Sequence, residues 1–309
     1  MRERGYKSLL TRYEGNPIFA PEEFPWCPAD QVFNPGQVMT PDGRTILLVA
    51  VIPRNEKFAR CHVAESTDGL HFTIRKKPIF EVDPDKKFGD LDFHPIDCRV
   101  TYFAEENCYY IIRPANSEWG CCALLYRTTD FETVEPIEIT ALPHNRVPCL
   151  FPEKINGRYV RFDRPMPKNI EEQAGMCVSY SDDLIHWNGT VDLMQPRQGC
   201  WDSLKIGAGA VPIKTPAGWL EIYHGVDNSS CNDYIYRLGT VLLDLNDPSK
   251  IIARAELPVM WPEHSYELSG RCSNVVFTAN ALVEEDGNTV RMYYGCADTV
   301  TGLAFTTVE

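Results

Sequence analysis

The chain alternates short apolar runs with polar turns and almost nowhere sustains a helical period. Five runs rich in β-branched and aromatic residues stand out: TILLVAVI (45–52), CYYIIRP (108–114), RYVRFDRP (158–165), WLEIYHGV (219–226) and VRMYYGC (290–296). Each follows a polar or glycine turn, namely PDGR (41–44), EEN (105–107), NGR (156–158), AGW (217–219) and DGN (286–288), which is how strands are punctuated. They recur at intervals of roughly 50–70 residues, the spacing of propeller blades. A second strand follows each, in RCHVAESTDGLHF (60–72), CCALLYRTTDFETV (121–134), GMCVSYSDDLIHW (175–187), YRLGTVLLDLNDPSKI (236–251) and TGLAFTTVE (301–309). Four of these continue into an Asp-bearing turn and an outer strand; the fifth does not. A propeller closes its ring, so the segment around NPIFAPEEF (16–24) is expected to supply the missing strand.

The pattern therefore predicts an all-β, five-bladed β-propeller, a single domain over 1–309, closed by pairing of N- and C-terminal strands. An irregular β-sandwich with coincidental spacing is the competing reading. Only KNIEEQA (168–174) offers one or two helical turns. Asp68, Asp130 and Asp183 fall at the same point of successive repeats and read as turn residues.

Composition narrows the function. Hydrophobic residues at 44% and charged residues at 24% suit a chain with a large buried core. Thirty Lys and Arg against 43 Asp and Glu give a net charge of −13, which excludes nucleic acid as the main partner and requires any anionic ligand to meet a local basic cluster. No apolar stretch approaches the ~20 residues of a membrane span, so a cytoplasmic protein without membrane contact is expected. Ten of the twelve cysteines are scattered singly, mostly in apolar runs, and no CxxC occurs, which reads as buried reduced thiols. No Gly-rich nucleotide loop, HExxH or GxSxG is present, so no metal and no organic cofactor is expected.

The start of each repeat points toward the propeller axis, and its polar residues converge on a common pocket. Those positions carry Asn34 in FNPG, Asp97 and Arg99 in HPIDCRV, HNRV (144–147), Lys205 in WDSLKIGAGA and Glu267 in YELSG. Following strands add Arg161, Asp163, Arg164, His224 and Asp298.

In order, RYEGNPI (12–18), FNPG (33–36), STDGLHF (66–72), IDCRV (96–100), LFPEKINGRYVRFDRP (150–165), KIGAGAVPIKTPAGWLEIYHGV (205–226), YRLGTVLLDLNDPSKI (236–251) and YYGCADT (293–299) cover almost the whole chain. This succession resembles glycoside hydrolase family 130, the inverting β-mannoside phosphorylases. The resemblance implies the five-bladed propeller and a reversible reaction in which inorganic phosphate cleaves a β-mannoside to α-D-mannose 1-phosphate. It implies Asp97 as the acid, relaying its proton through the sugar 3-hydroxyl. The family's Asp-Pro-Arg reads here Asp-Cys-Arg, with Cys98 in place of proline. It further implies that Arg146, Arg164, Lys205 and His224 bind phosphate, the co-substrate. Such chemistry is coherent: a hydrolase needs a second carboxylate to activate water, whereas phosphate is already an anionic nucleophile and needs cations to orient it. Asn34, Arg60, Asp163, Glu267 and Asp298 have the hydroxyl-reading groups for the mannosyl unit, and Trp201 and Tyr223 are aromatic candidates for the acceptor side. Two alternatives stay open. An inverting β-mannosidase would use Glu153 or Glu267 as base, and a non-catalytic glycan-binding propeller would use none. Linkage (β-1,4 or β-1,2), acceptor sugar (mannose, glucose or N-acetylglucosamine) and homo-oligomerisation are left open by the sequence.

Overall fold

In the computed structural model, which describes residues 6–81, 85, 87–166, 173–230 and 233–308, five small sheets stand in a ring as a five-bladed β-propeller. From the axis outward, blade I runs Ala29–Met39, Thr45–Pro53, Arg60–Ser66 and Thr73–Pro78. Blade II runs Arg99–Phe103, Cys108–Ser117, Gly120–Thr128 and Glu135–Ala141, and blade III Asn145–Leu150, Tyr159–Pro165, Met176–Ser181 and Trp187–Met194. Blade IV runs Lys205–Ala208, Gly218–Ser230, Asp233–Leu243 and Ile251–Arg254. In blade V the order is Val276–Phe277, Thr289–Cys296, Val300–Thr307 and finally Thr11–Arg12 from the N-terminal segment. That outer strand lies before the segment 16–24 named by the sequence; there, Phe19 makes only an isolated bridge to Thr301.

The second strand of each blade is apolar on both faces because each face packs against a different neighbour. In blade I, Ile46 and Leu48 join Val100, Ile111 and Leu124 of blade II, while Leu47 and Val49 join Leu282, Tyr293 and Leu303 of blade V. The period-2 alternation of a strand thus serves two interfaces at once. A one-residue slip would exchange them, so register is tightly specified. The same logic holds between blades II and III through Ile112 and Leu150, III and IV through Phe162 and Trp219, and IV and V through Ile222 and Met292. Each such side chain contributes about 1.5–3 kcal/mol on burial. Outer strands need less apolar character: Trp187–Met194 is mostly exposed.

Asp68, Asp130 and Asp183 shape the turns into the outer strands. In each, Oδ1 accepts from two backbone N–H groups, for example those of Leu70 and His71 at 2.9 and 2.8 Å, with matching pairs at Asp130 and Asp183. Most of KNIEEQA (168–174) lies outside the described residues. A short helix instead occupies Ser265–Leu268.

Candidate active site

A cavity of about 530 Å³ opens on the face where the innermost strands begin. It is lined by Asn34 of blade I, Asp97 before blade II, Arg146 and Arg164 of blade III, Lys205 and His224 of blade IV, and Asp298 of blade V.

Local backbone irregularities aim these groups. The ladder between the first two strands slips between Phe33 and Gly36 in blade I and between Arg146 and Cys149 in blade III. Such bulges redirect side chains out of the regular alternation. Asn34 (φ 45°), Asp97 (φ 52°), Val147 (φ 53°) and Asp298 (φ 50°) all adopt left-handed conformations. For β-branched Val147 that costs about 1–3 kcal/mol, strain of the kind held at functional sites. Gly36 has a steric duty: a Cβ there would stand 2.2 Å from the Cys98 carbonyl oxygen. Its absence lets blade I approach the Asp-Cys-Arg segment, where Asn34 Nδ2 donates to Asp97 Oδ1 at 2.9 Å and to Asp298 Oδ1 at 3.4 Å. From behind, buried Arg99 donates to the carbonyls of Asp97 (3.3 Å) and Ala208 (2.6 Å), tying the acid's backbone to blade IV.

The opposite wall is cationic. Arg146 Nη2 lies 3.7 Å from Asp97 Oδ2 and keeps 36% of its side chain accessible. Burial, reinforced by the Arg146 charge, pushes the Arg164 guanidinium down to about 10. Lys205 is pushed down to about 8, first by burial and then by Arg164 and Arg146, with the Tyr234 and Tyr236 rings 5.1 and 5.4 Å from its ammonium. His224 is held well below its ordinary value by burial and the nearby charges of Arg164, Arg99 and Lys205. It is therefore neutral, and its Nε2 accepts from Arg164 Nη1 at 2.9 Å. Asp298 is raised, chiefly by burial and then by Asp97. Asn34 Oδ1 and Arg164 Nε are buried with no hydrogen-bond partner among the described residues.

Of the ten residues named from the sequence, seven line this cavity: Asn34, Asp97, Arg146, Arg164, Lys205, His224 and Asp298. Three do not. Arg60 begins the third strand of blade I and faces outward, paired with Glu56 at 2.7 Å. Asp163 is adjacent to Arg164, so strand alternation turns it to the other face, where it pairs with Arg161 at 3.0 Å and accepts from Asn145 at 3.0 Å. Glu267 is drawn inward by the 265–268 helix and held by Arg12 (2.6 Å) and the Tyr294 hydroxyl (2.8 Å). Trp201 and Tyr223 stack on each other, centroids 5.5 Å apart, in the core between blades III and IV. Tyr234, Tyr236 and Arg271 line the cavity and were not read from the sequence. Arg271 precedes the inner strand of blade V, as Asp97 precedes that of blade II, and that position was its available signal.

The arrangement sets two neighbouring carboxyl groups, Asp97 and Asp298, against a wall of cations, the equipment for transferring a group to an anionic nucleophile. A family profile described as beta-1,4-mannooligosaccharide phosphorylase matches residues 11–309. The chain is 33% identical over 307 residues to a beta-1,4-mannooligosaccharide phosphorylase of Ruminococcus albus, covering 98% of this chain and 90% of the relative. It is also 33% identical over 310 residues to a beta-1,2-mannobiose phosphorylase of Thermoanaerobacter, covering 96% of each. The solved beta-1,2-mannobiose phosphorylase of Listeria innocua, in complex with beta-1,2-mannobiose, superimposes with a TM-score of 0.85 at 30% identity over 97% of both chains. Fold, sequence and the extent of these matches agree, and the chain belongs to glycoside hydrolase family 130.

Proposed function

We propose that this protein cleaves β-mannosides by inverting phosphorolysis. Phosphate, held by Arg146, Arg164 and Lys205, attacks the anomeric carbon in line. The new bond is C1–O–P, the bond that breaks is C1 to the glycosidic oxygen, and that oxygen takes the proton of Asp97, directly or through a sugar hydroxyl. The products are α-D-mannose 1-phosphate and the shortened sugar. Neutral His224 orients Arg164 rather than adding charge, which follows from their 2.9 Å hydrogen bond.

The observation that carries this reading is the cavity's charge pattern. Its carboxylates, among the described lining residues, are Asp97 and Asp298, and both accept from the same Asn34 amide. Their Oδ1 atoms therefore lie no further apart than those two hydrogen bonds laid end to end. Asp298 shares this amide with Asp97 and is raised by burial and then by the Asp97 charge, so it does not stand apart as an independent base for water. The bases the hydrolytic alternative would call on are engaged elsewhere: Glu153 with Lys214 at 2.6 Å, Glu267 with Arg12 at 2.6 Å.

Incubation with β-mannobiose should yield mannose 1-phosphate only when phosphate is present. Release of free mannose at the same rate without phosphate would overturn the reading. An acceptor screen run from α-mannose 1-phosphate then identifies the linkage made.

A further inference from the structure

Outside the cavity, on its Asp97 side, three aromatic rings form a partly exposed cluster that the reaction does not use. Phe58 lies between the second and third strands of blade I and is 50% exposed, which is unusual for a phenylalanine. Its ring meets Phe93 edge-on at 4.9 Å and His94 at 6.0 Å. His94 is three residues before Asp97, and Ala59, next to Phe58, packs in one cluster with Phe33 and Ile96, the chain neighbours of the cavity-lining Asn34 and Asp97. The cluster is thus continuous with the site. The backbone N–H of Ala59 donates to His94 Nδ1 at 2.9 Å. With Nδ1 accepting, the neutral ring carries its proton on Nε2.

We propose that Phe58, Phe93 and His94 form a binding platform for the leaving chain of a manno-oligosaccharide, beyond the sugar units held in the cavity. This rests on the phosphorolytic reading. In-line displacement puts nucleophile and leaving group on opposite sides of the anomeric carbon. The cations of blades III and IV define the phosphate side, so the chain departs toward blades I and II, where the cluster stands. The chemistry suits a pyranose: its C–H face stacks on the electron-rich face of an exposed aromatic ring, and a fixed N–H donor reads a hydroxyl. A cavity of about 530 Å³ is the size of a single small ligand, so a third sugar must find its contacts on the rim.

The test compares phosphorolysis of a β-mannotriose and a β-mannobiose by the wild type, Phe58→Ala and His94→Asn. Asn retains an acceptor for the Ala59 N–H and removes the Nε2 donor. The expected result is a wild-type kcat/KM ratio, trisaccharide over disaccharide, that falls at least fivefold in each variant, with disaccharide kinetics and Tm unchanged. A ratio unmoved in both variants, or equal losses on both substrates, overturns the platform while leaving phosphorolysis intact. A wild type that forms no mannose 1-phosphate from either sugar overturns the proposed function and the platform with it.

Discussion

Replacing Lys205 with methionine should make the protein more stable and catalytically inert. The ammonium is buried beside Arg164 and Arg146 with no carboxylate partner among the described residues, and it is pushed down from 10.5 to about 8. At 1.36 kcal/mol per unit, that displacement costs the folded state about 3 kcal/mol. Below pH 8 the lysine is charged in both folded and unfolded chains, and the full penalty is present. Between about pH 8 and 10.5 the unfolded chain holds a proton that the folded one has released, so stability rises with pH; above that window the penalty is gone. Methionine fills similar space without charge. It forfeits contacts with the rings of Tyr234 and Tyr236, each about 0.5–1 kcal/mol, so the net gain is roughly 1–2 kcal/mol. For a chain of this size that is about 2–5 °C in Tm. Saturating phosphate, at 100 times its Kd, should stabilise the wild type by about 2.7 kcal/mol and leave the variant unmoved. The assay is thermal unfolding at pH 7 in a phosphate-free buffer, with and without added phosphate. A variant that melts below the wild type, or gains as much from phosphate, would refute the reasoning. In the same enzyme, kcat/KM for phosphate should fall as pH rises through about 8, because the free enzyme loses the Lys205 charge there.

Three further outcomes are expected. Asp97→Asn should lower phosphorolysis by about 10²–10⁴-fold while Tm stays put, because asparagine keeps the Oδ1 acceptor for Asn34 and tolerates a φ of 52°. Glu267→Gln strips the buried Arg12 guanidinium of the nearer of its two carboxylates, leaving the more exposed Glu263 at 3.0 Å, and should cost about 1–3 kcal/mol of stability, read by urea unfolding, with KM for phosphate unchanged. In Gly295→Ala the new Cβ would fall 1.7 Å from Asn34 Oδ1; displacing that amide should cut kcat/KM at least tenfold, more than its effect on Tm explains.

The ring of blades was legible in the sequence because each second strand must be apolar on both faces, and five such strands at regular spacing have few other uses. The outer strand of blade V was misplaced because Thr11–Arg12 is too short and polar to carry a pattern; its pairing is set by the backbone edge it meets. Asp97, Arg164 and Lys205 were legible as motif residues at blade starts and strand ends. Asp163 was not separable from Arg164 by motif alone, since the two are neighbours and only alternation in the folded strand decides which one faces the cavity. Arg60 and Glu267 carry the right chemistry for sugar binding, but Glu56 and Arg12 claim them, and such partners 4 and 255 residues away are invisible to a linear reading. Tyr236 escaped because an aromatic in a strand reads as core until the lysine it faces is seen.

Elsewhere in the molecule Arg12 has Glu267, Arg161 has Asp163 and Arg254 has Asp202, while the equally covered Arg99 is held by the carbonyls of Asp97 and Ala208. Inside the cavity the inner cations have no such carboxylates among the described residues. Arg164 has a neutral histidine for company and Lys205 two tyrosines, on a chain whose net charge is −13. With so many acids available, this absence of pairing is a property of the site and not of composition. Unpaired cations repel one another, and the backbone beside them is strained at Val147 and Asp97; both terms are carried by the folded protein before any ligand arrives. A dianion placed among Arg146, Arg164 and Lys205 removes the repulsion, so part of its binding free energy is energy already stored in the fold. Neutral ligands gain nothing from that release. On the phosphorolytic reading, selectivity for phosphate over water as nucleophile follows from the same feature that lowers stability, which is why a single substitution at Lys205 should move the two in opposite directions.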